Sequence, residues 1–399
     1  MSADRAPLDG VTVLDFTRVL SGPYCTMLLA DMGARVIKIE QPGRGDDTRA
    51  WGPPFVNGES AYFLSINRNK ESLTLDLKHP SAREVLNGLL ARADVIVENF
   101  RPGTMERLGL GYDALAPNYP RLVYASVSGF GQTGPRREEP GYDAVIQGEA
   151  GLMSITGAAD GPPFRLGVAI ADIVSGMFAA QGVAMALLAR VRTERGQRVD
   201  IGMLDATAAL LTYQAGIYFA TGSTPGRMGN RHPTIVPYET FAAADGDFVV
   251  AVGNDQQWRR FCDVIGGASL ASDDRFVTNR ARVMNYETLR PQLADLLRRR
   301  SRHEWVAALK AVGVPCGSVR EVAEVLQDSQ LEARQMIEAV DHVSAGTINV
   351  LGVPIKLSDT PGSVRAAPPA LGQHTDRILR DDCGLSEAAI DSLRKSNAI

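Results

Sequence analysis

The stretch VTVLDFTRVLSGPYCTMLLADMGARVIKIE, residues 11–40, decides the fold. VTVLDF (11–16) is a β-branched apolar run and reads as a strand. SGPYCTMLLADMG (21–33) opens on a Gly-Pro turn and continues as an amphipathic helix, and ARVIKIE (34–40) is a second strand. Strand, helix and strand in immediate succession make a βαβ unit, whose two strands run parallel.

Outward from this unit the alternation continues. SLTLDL (72–77), a helix near 82–91, DVIVENF (94–100) and RLVYASVSGFG (121–131) extend the pattern, which predicts a parallel, Rossmann-like sheet. The first turn lacks G-x-G-x-x-G, so a dinucleotide cofactor is poorly supported, and Glu40 at the end of the second strand does not restore that reading by itself. Near residue 200 the texture changes. RTERGQ (192–197) is a charged turn, VDIGML (199–204) a short strand, and a long apolar helix is expected from Asp205 to Thr221. TGSTPGRMGNRHP (221–233) reads as a linker, YETFAAADGDFVVAVGN (238–254) as a hairpin turning at Asp245-Gly246, and residues 255–312 as helices. From Gly317 the tail carries strand-like INVLGVPIKL (348–357), a Pro-rich crossing and a last helix. The expected organisation is an α/β fold: a large domain over 1–220 and 317–399, and a smaller α+β domain over 221–316.

Composition narrows the partners. The 399 residues hold 42 Lys+Arg against 46 Asp+Glu, a net charge of −4, with 45% hydrophobic residues. No basic excess points to nucleic acid or an anionic membrane, so small molecules are expected. MSADRAPLDG has no charged start followed by an apolar core, which predicts a cytoplasmic location. The uncharged run Ile173–Ala189 approaches the ~20 apolar residues of a membrane span, but its Ala and Gly content, with Ser175 and Gln181, reads as a core helix. Cys25, Cys262, Cys316 and Cys383 lack C-x-x-C spacing, and the five histidines fall in no metal-binding pattern; reduced thiols and no metal are expected.

Nucleophiles of the usual kind are missing. No G-x-S-x-G elbow occurs, and no Cys and His stand at a recognised spacing. GFGQTGP (129–135) follows a predicted strand, where its glycines either let backbone N–H groups approach a ligand oxygen or form an ordinary turn. Arg44, Arg49, Arg101 and Arg107 lie near the C-terminal ends of predicted strands, where open α/β sheets bind anions; singly, each also fits a solvated surface. RLGVAIADIVSGM (165–177) sets one acid, Asp172, among apolar and small residues ahead of the uncharged run. Asp is a preferred N-cap. It is also a candidate nucleophile, made reactive by desolvation and kept ionised by the helix N-terminus. The two readings are compatible.

Several stretches in order resemble family III CoA-transferases of the CaiB/BaiF type: PLDGVTVLDFTRVLSGP, GARVIKIEQPGRGDDTR, NRNKESLTLDLK, ADVIVENFRPG, SGFGQTGP, GPP followed by the Asp172 segment, RGQRVDIGMLDA and LGQHTD. The resemblance covers essentially the full length. It implies transfer of CoA from an acyl-CoA donor such as succinyl-CoA to a free carboxylic acid, with Asp172 as the catalytic nucleophile passing through an aspartyl anhydride and an aspartyl-CoA thioester. CoA is then a substrate, and no tightly bound cofactor is expected. Arg18, Leu75, Asn99, Phe100, Arg107, Tyr142 and Met203 carry over as CoA or acyl contacts. Gly129, Gly131, Gln132 and Asp143 fall in the oxyanion and acyl region. Arg18, Gln41 and Pro140 stand where some members carry His, Arg and Lys. Arg49 and Arg231 are candidate cations for the distal carboxylate of a diacid. The resemblance further implies a homodimer of two interlocked rings. Related α-methylacyl-CoA racemases pair the Asp with a His at position 142, because racemisation needs an acid and a base on opposite faces of the α-carbon; here Tyr142 stands instead. A racemase is therefore the alternative reading, and a non-catalytic CoA-binding protein, with Asp172 only a cap, the alternative of another class.

Overall fold

The computed structural model describes residues 6–399, so the first five residues of MSADRAPLDG lie outside it. Six strands form the central sheet: β1 (Thr12–Asp15), β2 (Arg35–Glu40), β3 (Lys70–Thr74), β4 (Val95–Glu98), β5 (Val123–Ser128) and β6 (Arg198–Gly202), ordered β3-β2-β1-β4-β5-β6. Each neighbouring pair is parallel. This is the Rossmann strand order, whose winding reverses between β1 and β4 and opens a crevice at the C-terminal ends of those strands.

Strand alternation explains why both faces are covered. Leu14, Ile37, Leu73 and Ile96 point to one face, where they pack with helix α2 (Ala82–Leu90) and the C-terminal helices Thr375–Asp381 and Glu387–Lys395. Val13, Val36, Val95 and Val123 point to the other. There they meet helix α1 (Ser21–Asp31) and the apolar side of the long helix. Two further helices of this unit are α3 (Asp143–Glu149) and the long helix itself, α4 (Ile170–Thr193). Among the described residues α4 is the one helix long and apolar enough to cross a membrane, and half of its apolar window is buried. Ala171, Val174, Ala179, Val183 and Ala186 form its buried side.

Two boundaries differ from the sequence reading. The chain divides into two compact units, one comprising the chain up to Leu152, Arg165–Ala215 and Ser329–Ile399, the other Met153–Phe164 and Gly216–Asp328. Composition placed the smaller part at 221–316. Strand Cys316–Ser318 pairs antiparallel with Asp247–Ala251, the second strand of the expected hairpin, so residues beyond 316 stay in the second unit. Residues 153–164 join it because the Arg227 guanidinium donates to Ala158 O at 3.3 Å and Gly161 O at 2.8 Å. The expected helix Asp205–Thr221 is also broken. It runs over Met203–Ala208, passes through a tight turn at Ala209–Leu211 and restarts at Thr212–Thr221, with Thr212 at φ +36° interrupting the helical hydrogen-bond ladder.

Candidate active site

Every strand of the central sheet delivers a candidate residue at its C-terminal end: Arg18 after β1, Gln41 after β2, Leu75 after β3, Asn99 and Phe100 after β4, Gly129 after β5 and Met203 after β6. The switch point between β1 and β4 is bridged directly. Asn99 Oδ1 accepts the Arg18 N–H at 2.8 Å, and Asn99 Nδ2 donates to Arg18 O at 2.7 Å. The Arg18 guanidinium lies 5.2 Å from the Phe100 ring centre.

The loop carrying Arg18 is held over a buried ionic cluster. Val19 adopts φ +69°, a left-handed conformation that costs a β-branched residue of order 1–3 kcal/mol. Its N–H donates to Asp46 Oδ1 at 3.2 Å, while Asp46 Oδ2 pairs with the fully buried Lys38 ammonium at 2.8 Å. Lys38 also donates to Thr17 O at 2.8 Å. Next to it, Lys70 donates to Asp15 Oδ2, Pro23 O and Asn67 Oδ1, and burial pulls its pKa down to about 8. Charges so deeply buried persist only when paired and fully hydrogen-bonded. The sequence reading placed these strands but did not single out Asp15, Lys38, Asp46 or Lys70. For Asp15 and Lys38 the available signal was a charged residue flanked by apolar ones within a strand.

Above this floor lies a cleft of about 190 Å³ lined by Arg18, Ser21, Asn99, Gly129, Tyr142 and Asp172, among others. Asp172 is not the N-cap of α4. That cap is Ala169, and Asp172 occupies the third helical position. The capping function falls to Asp143, whose Oδ1 accepts the Ala171 N–H at 2.9 Å from the first turn of α3. Gln147, fully buried one turn further along α3, donates to Asp143 Oδ2 at 2.8 Å and accepts the Leu166 N–H at 2.9 Å. Burial, and then the nearby Asp143 carboxylate, push Asp172 up to about 7, while a hydrogen bond from Ser21 acts to lower it. Tyr62, on the short helix Ala61–Ile66, is pushed up to about 12 by burial and by the Asp172 and Asp143 charges. Glu98 at the end of β4 is pushed up to about 7 by burial, though it accepts the Phe100 N–H at 2.9 Å. Ser21, Tyr62 and Glu98 were absent from the sequence reading, because one hydroxyl or carboxyl in a strand–turn–helix stretch carries no spacing signal.

The expected site residues do not all converge. Arg18, Asn99, Phe100, Gly129, Tyr142 and Met203 line the cleft with Asp172, and Tyr142 is 67% exposed there. Leu75 and Gln41 line an adjoining cleft of about 360 Å³, which shares Arg18 and Phe100 with the first. Arg107 lines neither; it donates to Oγ1 of Thr104, a residue of the second cleft, at 2.9 Å. Gly131 and Gln132 stand off the Asp172 cleft, and the Gln132 N–H is committed to both Asp200 carboxylate oxygens at 3.1 Å. Gly129 is brought to the wall by close backbone packing: a Cβ on Gly141 would fall 2.4 Å from Gly129 Cα, so glycine here seats the segment ahead of Tyr142 and Asp143. Arg49 is not a spare cation. Burial of Glu40 fixes it in a two-pronged pair at 2.8 and 2.7 Å, and its guanidinium stacks 3.7 Å from the Phe63 ring centre. Arg231, in the second unit, lies 3.5 Å from the Tyr286 ring centre.

Comparison with known proteins identifies the family. Residues 8–375 match the family described as CoA-transferase family III. The acetyl-CoA:oxalate CoA-transferase of Acetobacter aceti is 44% identical over 91% of this chain and 93% of that protein. The succinyl-CoA:glutarate CoA-transferase of Mus musculus is 40% identical over 98% of this chain and 90% of its own. The crystal structure of a CaiB/BaiF family protein from Brucella suis superposes with a TM-score of 0.84 at 41% identity, covering 94% of this chain and 99% of the other.

Proposed function

The chain belongs to CoA-transferase family III and transfers CoA from an acyl-CoA to a carboxylic acid, and from that premise we propose that Asp172 is the nucleophile of the exchange. The observation that carries this reading is a carboxylate on the first turn of a helix, opening into the cleft, with a pKa raised to about 7. Such a carboxylate is a stronger nucleophile than a solvated one, and at neutral pH about half of it is ionised. One Asp172 oxygen attacks the donor thioester carbonyl, the C–S bond breaks, and CoA thiolate leaves a mixed acyl-aspartyl anhydride. The thiolate then attacks the Asp172 carbonyl; the donor acid departs with its oxygen, leaving an aspartyl-CoA thioester. The acceptor carboxylate attacks that thioester, thiolate is expelled again, and thiolate attack on the acceptor acyl carbon returns Asp172 and the new acyl-CoA. Protons balance throughout, since one carboxylate enters and another leaves.

The other assignments belong to the same proposal. CoA extends from the Asp172 cleft into the adjoining one, against Arg18, Leu75, Asn99, Phe100 and Met203, with Arg107 toward a phosphate and Tyr142 beside the acyl group. Backbone N–H at Gly129 is the candidate oxyanion donor, a type of contact worth ~2.7–4 kcal/mol where it has been removed. The acceptor is a dicarboxylic acid, as oxalate and glutarate are for the relatives named above. Arg101 lines the same cleft and has no ion-pair partner among the described residues, which makes it the cation for the distal carboxylate. The protein is a homodimer: Met177, Met185, Leu188 and Val191 form an exposed apolar stripe on α4, with Leu188 69% and Val191 77% exposed. Four free cysteines fit the reducing cytoplasm.

The direct test is to incubate the protein with succinyl-CoA, trap with hydroxylamine or borohydride, and map the peptides by mass spectrometry. Modification at Asp172, lost in Asp172→Ala together with CoA transfer, is the expected result. An unmodified Asp172 with every donor tried, and exchange of solvent deuterium into a 2-methylacyl-CoA, would replace this reading by racemisation.

A further inference from the structure

Ser21 opens α1 and lines the cleft with Asp172, yet the residue is only 4% exposed. Asn99 Nδ2, which donates to Arg18 O at 2.7 Å, lies 3.4 Å from Ser21 Oγ and donates to it as well. An amide nitrogen carries no acceptor, so the Ser21 oxygen is the acceptor of that bond and its own proton is directed elsewhere. The helix opposite is unusually close. A Cβ on Gly176 would fall 2.5 Å from Ser21 O and 3.2 Å from Cys25 N, so the missing side chain lets the α4 backbone rest on the start of α1. Residues four apart share a helix face, which places Asp172 one turn above that contact, on the side of Ser21. The Asp172 carboxylate lines the cleft on that side, and a hydrogen bond from Ser21 acts to lower its pKa.

We propose that Ser21 is a positioning residue for Asp172: its hydroxyl donates to the carboxylate, fixes which oxygen faces the thioester, and ties that oxygen through Asn99 to the Arg18 loop. The proposal rests on the reading of Asp172 as nucleophile. Ser21 gives up no proton and forms no covalent bond. Its hydrogen bond favours the ionised carboxylate, against the Asp143 charge from α3 and the Asp47 and Glu139 carboxylates that line the same cleft. The cations Arg18 and Arg101 work in the same direction as Ser21. Tyr142 lines the cleft, Tyr62 on the short helix interacts with the Asp172 charge, and Tyr24 lies beside Gly176 on α1; burial pushes both Tyr62 and Tyr24 up, away from the range of the test.

The test is the pH profile of kcat/KM between pH 5 and 9 for wild type, Ser21→Ala and Ser21→Cys, the last keeping side-chain volume with a weak donor. Both substitutions are expected to move the acid limb upward by about one pH unit, giving about a tenfold loss on the acid side that closes near pH 9. Superimposable limbs in all three proteins would overturn the proposal, as would recovery of the wild-type limb in Ser21→Cys. Trapping with succinyl-CoA separates the two premises. Asp172 labelled in all three proteins with an unmoved limb refutes the role of Ser21 alone, whereas an unlabelled Asp172 in wild type refutes the nucleophile reading itself.

Discussion

Asp143 caps the helix that carries Asp172: its Oδ1 accepts the Ala171 N–H at 2.9 Å, one residue before the candidate nucleophile. One carboxylate thus fixes the helix start and raises the pKa of another. Asp143→Asn separates the two effects, because the amide oxygen still accepts from Ala171 while the charge disappears. The acid limb of kcat/KM is expected to move downward by about half a unit. Asp143→Ala should show the same shift with an additional loss of about 1 kcal/mol of stability from the missing cap. Titration of kcat/KM together with thermal melts checks both.

The raised pKa of Asp172 has a consequence for stability whose sign is fixed. Between the unfolded value near 3.8 and the folded value of about 7, the native state holds more protons than the unfolded one, so the contribution of Asp172 to stability falls as pH rises through that window. Asp172→Asn, neutral at every pH, is therefore expected to melt higher than wild type at pH 8, by an amount on the order of 1 kcal/mol or about 2 °C, and to match it at pH 4. Equal melting temperatures at both pH values would mean that the carboxylate is not destabilised by its surroundings.

The sheet was legible because β-branched runs alternating with helical spacing report a parallel α/β layout through local chemistry alone. The positions at strand ends were legible for the same reason: once strands are placed, the residues following them are at the ligand-binding edge. What escaped the sequence depends on contacts between distant segments. Asp172 read as a cap as well as a candidate nucleophile, and the cap reading failed because nothing local shows that Asp143 reaches Ala171 from another helix. Gln132 read as an oxyanion donor because its commitment to Asp200 links residues far apart in sequence. Cys316–Ser318 joined the small unit by strand pairing, where composition alone put the boundary at 316.

Arg49 distinguishes a structural cation from a substrate-binding one. Its guanidinium holds the buried Glu40 by two hydrogen bonds and Pro369 O at 3.1 Å; burial pushes Glu40 up, but the Arg49 pair leaves it below its usual pKa. Arg49→Ala strands a buried carboxylate, a change that costs roughly 3–5 kcal/mol when one partner of such a pair is removed. The expected result is a large drop in melting temperature, with no selective rise in KM for a dicarboxylic over a monocarboxylic acceptor in whatever folded enzyme remains. A selective rise would return Arg49 to the substrate.

Gly176 and Gly182 lie on the same helix, yet their replacement by alanine should differ. At 176 the new Cβ meets the Ser21 carbonyl oxygen at 2.5 Å and backbone nitrogen of Cys25 at 3.2 Å, atoms that move only if α1 and α4 separate. At 182 it meets Val199 Cγ1 at 2.7 Å, a side-chain atom that can yield by local rearrangement, and its next neighbour is 3.9 Å away. Overpacking costs typically ~1–3 kcal/mol, and Gly176→Ala is expected at the upper end and Gly182→Ala at the lower. Separation at 176 also draws Ser21 away from Asp172, so Gly176→Ala should lower kcat/KM well beyond the fraction of protein unfolded, while Gly182→Ala retains it. Activity per folded molecule, measured for both variants beside their melting temperatures, decides the matter: equal activities would mean that the contact at Gly176 supports the fold without aligning the nucleophile.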